Sequence, residues 1–207
     1  MKEDVLEQIV DDYLQTRGYF TRHNLKFRPR TGHPDFIRNQ DSNHSGIDVL
    51  GYHPQRSGPE RVMAVSCKSW QSGFKVRSMI ADLEGNKIRS GREAWKAVRE
   101  LIQPKWSEAF IETVQSATGS TEFTYVTAVT AIKGDRSVWE NYPRFRNAMQ
   151  GNPVRILSLN EMLTELVPSL STTVAASQLG RILQLLKAAG YPFTIADITS
   201  AIDDADA

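Results

Sequence analysis

The run IDVLGYH (47–53), the linking PQRSGPE (54–60) and the run RVMAVSCKSW (61–70) decide the fold of this chain. Both outer runs are rich in apolar and β-branched residues, and Pro54, Gly58 and Pro59 between them are turn chemistry. The segment therefore reads as a β-hairpin. Upstream, Val5, Leu6, Ile9, Val10, Tyr13 and Leu14 recur at helical spacing and predict an amphipathic helix over 3–16, closed by Gly18. Residues 19–27 alternate as a strand, and the polar, turn-rich stretch 29–45 predicts a loop of a length that is often functional or mobile.

Downstream, the pattern predicts helices over 76–84, 92–102 and 107–117, a buried strand over 123–132 and a helix over 136–149. A strand over 154–159 and a helix over 160–167, capped by Asn160, follow. Pro168 and the SLSTT stretch mark a boundary, beyond which helices over 174–189 and 194–203 are expected. This order predicts an α/β fold: a mixed sheet with helices on its faces over 1–167, and a C-terminal helical appendage over 168–207.

The 207 residues are enough for one good-sized core, and a 40% apolar, 24% charged composition is that of an ordinary globular protein. One cysteine, Cys67, excludes an internal disulfide framework and fits a reducing cytoplasm. No apolar run approaches the ~20 residues that span a bilayer, and the acidic start MKEDVLEQIVDD is unlike a signal peptide. A cytoplasmic protein without a membrane partner is expected. The net charge of +1 announces no nucleic-acid partner, but it hides two basic runs. Arg17, Arg22, Lys26, Arg28 and Arg30 form the first, and Lys87, Arg89, Arg92, Lys96 and Arg99 the second. A plain solvated face is the commoner meaning of such a run, and each would also serve as phosphate-contacting surface.

Hydrolysing a phosphodiester with Mg²⁺ needs hard oxygen ligands and a positive group near the attacking water or the phosphate. Carboxylates on adjacent strands, with a lysine on the same face, meet that need. Asp48 opens the first strand of the hairpin and Lys68 closes the second, so a short turn brings their ends side by side. The plainer reading is a strand-capping Asp48 and a merely exposed Lys68. The four histidines lack zinc spacing, and no phosphate-cradling glycine loop or nucleophile elbow is present. Cys67 alternates away from Ser66 and Lys68 and should be buried and quiet, while Trp95 and Trp106 should pack in the core.

The runs EQIVDDYL (7–14), GYF (18–20), GIDVLGYHP (46–54) and CKSW (67–70) together resemble the PD-(D/E)xK, or restriction-endonuclease-like, nucleases. The resemblance is strongest to Mrr-like members whose motif reads D…(E/Q)CKS, and it covers 3–75 by motif. It implies a restriction-endonuclease-like core and a metal-dependent DNA endonuclease of restriction, repair or defence type, using Mg²⁺ or Mn²⁺. On that resemblance Asp48 binds the metal, Lys68 positions or activates the attacking water, and Glu7 assists the metal directly or through water. Glu3, one turn earlier, and Asp35, in a literal Pro-Asp pair, rank below these. Arg22, Lys26, Arg28, Arg30 and Gln71 are the residues expected to contact DNA. Many such nucleases act as homodimers, one subunit for each strand.

One position departs from the family. The second carboxylate or glutamine should stand at 66, where this chain has Ser66, a neutral and weaker Mg²⁺ ligand. Three arrangements accommodate this. Glu7 and Asp48 hold the metal with Ser66 acting through water; a carboxylate such as Glu60, Asp82 or Glu84 migrates in; or the centre has lost catalysis and kept binding. The last gives the alternative function, a catalytically degenerate module that binds nucleic acid or a protein partner. A protein-docking role for the C-terminal helices, through Leu179, Ile182, Leu183, Leu185 and Leu186, is a third reading.

Overall fold

The computed structural model describes residues 4–89, 91–191 and 193, so the helix expected over 194–203 lies outside the described residues. Five strands make the central sheet: β1 (Phe20–Phe27), β2 (Ser45–Tyr52), β3 (Val62–Lys68), β4 (Thr124–Val129) and β5 (Val154–Ser158), in that spatial order. Strand β2 runs antiparallel to both β1 and β3, and β3, β4 and β5 run parallel. The fold is thus α/β with a mixed sheet, as the element order predicts.

The longer helices are α1 (Val5–Thr16), α2 (Val76–Glu84), α3 (Pro104–Thr118), α4 (Leu159–Ser169) and α5 (Gln178–Ala188). One apolar layer sets α1 and α4 against Val49, Met63, Val65, Val126 and Ala128. The opposite layer is larger and packs α2, α3 and the turn Arg99–Ile102 against Leu50, Ala64, Tyr125 and Ile156. Strand alternation explains the division, since Val65 and Cys67 face one layer and Ala64 and Ser66 the other. In α1 the buried stripe is Leu6, Ile9, Val10, Tyr13 and Leu14, each worth about 1.5–3 kcal/mol when removed from water. Gly18 turns the chain into β1 at φ 85°, where a Cβ would stand 2.9 Å from the His53 ring.

Three elements differ from the sequence expectation. The stretch 92–102 is not one helix; Arg92–Glu93 pairs with Ile88–Arg89, and the single turns Ala94–Ala97 and Arg99–Ile102 follow. Its apolar residues satisfy helical spacing, but Gly91 at φ 76° folds the chain into a tight turn first. Residues 136–149 form two short helices, Ser137–Glu140 and Pro143–Ala148, because Pro143 keeps Tyr142 extended. The cap of α4 is Ser158 rather than Asn160: its hydroxyl accepts from the Glu161 amide while the Glu161 side chain accepts from the Ser158 amide. Helix α4 continues through Pro168 to Ser169, and α5 packs on it through Leu183 against Leu166 and Val167.

The loop expected over 29–45 is anchored. Asp41, with no exposed surface, accepts from the Ile37 amide, Lys105 Nζ and Trp106 Nε1. Lys105 also donates to the Asp35 carbonyl. Trp106 is fully buried, and Trp95 lies half-buried at the edge of the core.

Candidate functional site

The parallel strands β3, β4 and β5 all end on one edge of the sheet, the edge on which ligands settle in open α/β folds. Here β2 and β3 part company. Their pairing stops at Val49 and Val65, and beyond it Asp48 Oδ2 accepts the Cys67 amide at 2.7 Å. A carboxylate thus bridges strands that no longer share a backbone ladder. On the other side of β2, Asn24 is left-handed at φ 54°, a conformation asparagine tolerates. Alternation slips at the same point, with Ile47 and Leu50 in the larger layer and Val49 in the other.

Glu7 reaches this edge from the first turn of α1. Asp4 caps the helix by accepting the Leu6 amide, and its second oxygen accepts Ser69 Oγ, tying the start of α1 to the residue after Lys68. The Glu7 and Asp48 carboxyls both sit above the usual carboxylate range. Burial is the main cause for Glu7, reinforced by the charges of Asp48 and Asp4 and opposed by His23 and Lys26. Burial likewise lifts Asp48, against the Cys67 amide and the charges of Lys68 and Lys26. Lys26, expected to contact DNA, therefore stands beside the carboxylates as a counter-charge, with Nζ also donating to Asn24 Oδ1.

Ser66 is buried and points toward the larger layer. Its hydroxyl lies within hydrogen-bonding reach of the Tyr125 oxygen, and Tyr125 in turn donates to Glu100 Oε1 at 2.6 Å. Burial first, and the Glu100 charge second, drive the Tyr125 pKa well up, so the phenol keeps its proton. Glu100 is 5% exposed, and its charge acts on Asp48 as well. Tyr125 thus links Ser66 to the Glu100 carboxylate. Glu60 is exposed and pairs with Arg56 and Arg155; Asp82 is buried against Arg89 and Lys87; Glu84 accepts from Tyr142. None of these three is brought to the edge.

The remaining expected residues are dispersed. Arg22, Arg28 and Gln71 are exposed, while Arg30 is engaged with Glu112 at 2.7 Å. Asp35 lies exposed in the anchored loop. Cys67 packs toward α1, and burial, with the charges of Asp48 and Glu7, pushes its thiol pKa upward and keeps it protonated. Sequence reasoning missed Glu100, because it stands in a stretch without strand pattern and reaches the site only through Tyr125.

The fit to a divalent cation is limited. Among the described residues no group of three or more His, Cys, Asp or Glu side chains is gathered to hold a metal ion. Mg²⁺, however, is commonly held by one or two carboxylates, with waters and substrate phosphates completing its shell. The Glu7 and Asp48 pair meets that smaller requirement in donor type and charge. Among the described residues no helix is long and apolar enough to cross a membrane. Comparisons with protein-family models, curated proteins and solved structures found no match.

Proposed function

We propose that this chain is a PD-(D/E)xK-type nuclease that hydrolyses DNA phosphodiester bonds at the sheet edge between Asp48 and Lys68. The observation that carries the reading is the parting of β2 and β3, which leaves Asp48 and Lys68 at adjacent strand ends with Glu7 converging from α1. The order of helix, three antiparallel strands and two parallel strands supports it as well.

Glu7 and Asp48 would hold Mg²⁺ or Mn²⁺. The chemistry such an ion supplies when bound is a more acidic water and neutralised phosphate charge. Lys68, half-exposed at the end of β3, orients the attacking water or the scissile phosphate. Lys26 balances the carboxylates. Ser66 contributes a neutral hydroxyl held by Tyr125, and Glu100 behind it adds negative potential to the edge.

Two observations favour a second reading, binding without cutting: the hydroxyl at position 66, and the lack, among the described residues, of a three-ligand cluster. The test is cleavage of supercoiled plasmid and of short single- and double-stranded DNA with Mg²⁺ or Mn²⁺. On the nuclease reading the parent nicks DNA only with metal, and Lys68→Ala and Asp48→Ala each lose about a hundredfold or more. A parent protein inert even with Mn²⁺ transfers the conclusion to the degenerate centre.

A further inference from the structure

A groove of about 910 Å³ opens beside the candidate site. Trp70 lies on its wall and donates its amide to the Lys68 carbonyl, while Arg99, also lining it, immediately precedes Glu100. The lining carries five cationic side chains, Lys75, Arg89, Arg92, Lys96 and Arg99, against two carboxylates, Asp82 and Glu93. In a chain of net charge +1, this is a marked local excess.

Two of the five cations are committed. Arg89 pairs with the buried Asp82, and Lys96 pairs with Glu93. Among the described residues Lys75, Arg92 and Arg99 make no ion pair. Arg99 is held by its Nε to the Lys96 carbonyl, with its guanidinium 4.5 Å from the Trp106 ring centroid. An arginine fixed in this way loses little freedom on meeting an anion. The groove's own acids are already neutralised, so its residual potential is positive.

The groove also offers an aromatic face. Trp70 is 37% exposed and stacks on the buried Phe74, with rings 5.4 Å apart and 5° from parallel. One face of the indole thus rests on the core, while the exposed part of the ring borders the groove. Base faces are hidden in a duplex and offered by a single strand.

The geometry points to a single-stranded DNA site in this groove, with phosphates on Lys75, Arg92 and Arg99 and a base stacked on Trp70. The strand then leads toward Lys68 and Asp48. The direction of the strand rests on the proposed catalytic edge; the binding itself does not.

The test is fluorescence anisotropy with a labelled oligo-dT and a blunt duplex of equal length, in EDTA so that cleavage plays no part. The single strand is expected to bind at least tenfold more tightly. Trp70→Ala should weaken single-strand binding about five- to hundredfold, the range for loss of one base–aromatic stack. Trp70→Phe, which keeps a ring on Phe74, should retain most of the affinity, and melting curves of both variants check folding. Arg92→Ala should lower the salt slope by about 0.7, and Arg146→Ala, at an exposed residue outside the groove lining, should not. Equal or tighter duplex binding, or a folded Trp70→Ala protein with unchanged affinity, overturns the proposal. Single-strand binding by a protein that never cuts leaves this inference standing and removes the catalytic one. Trp70-independent cutting of duplex does the reverse.

Discussion

Asp48 occupies a position in which its charge is a liability to folding. Burial raises its pKa, with the Glu100 charge adding to it, and the Cys67 amide and Lys68 offset only part of this. With its folded pKa above the unfolded value, the native state holds the proton more firmly. Stability is then greatest at or below the ordinary carboxylate range and declines as pH rises toward the raised value. Asp48→Asn keeps an oxygen for the Cys67 amide and removes the charge. It is expected to melt a few degrees higher than the parent at pH 7.5 in EDTA, with the gap closing near pH 4. Mg²⁺ should raise the melting temperature of the parent and leave that of the variant unchanged. A variant that melts lower than the parent at pH 7.5 would mean that the ionised carboxylate stabilises the fold. Glu7 entered through the resemblance alone, whereas Asp48 and Lys68 stood out in the sequence because strand ends are a local pattern. Glu100 did not, since its approach depends on Tyr125, a residue on a strand 25 positions away.

Elements legible in the sequence are those whose pattern and punctuation agree. The segment 76–84 has helical apolar spacing and a glycine just beyond it, and it is a helix over those residues. The β2–β3 hairpin is equally plain. Residues 92–102 and 136–149 misled because apolar spacing survives in consecutive single turns, and only Gly91 and Pro143 signal the breaks. The 29–45 loop carried no local sign of its anchor, for Lys105 and Trp106 come from α3. Burial alone would raise the Asp41 pKa, but Lys105, the Ile37 amide and Trp106 hold it below the usual range. Asp41→Ala strands the Lys105 ammonium in the interior, at a cost of about 3–5 kcal/mol. Chemical denaturation should register that loss, and Lys105→Met combined with Asp41→Ala should recover much of it. A single variant within about 0.5 kcal/mol of the parent would mean that the loop is held by other contacts.

At the scale of the whole molecule, the sheet is made of two halves with different histories of pairing. Strands β1, β2 and β3 meet neighbours that follow one another in the chain, whereas β3 reaches β4 only across residues 69–123. Closing that long crossover demands chain entropy before the parallel pairing repays it, so the meander should assemble first. Pulse-labelled hydrogen exchange during refolding is expected to protect amides of β1 and β2 before those of β4 and β5; simultaneous protection would contradict this order. Until β4 arrives, β3 is a bare edge whose run VMAVSC contains no charge. Such an edge invites pairing with the wrong chain. The topology that later sets Lys68 beside Asp48 therefore makes the newborn protein most prone to aggregation at β3, and dilute, cool refolding should favour the native sheet over association.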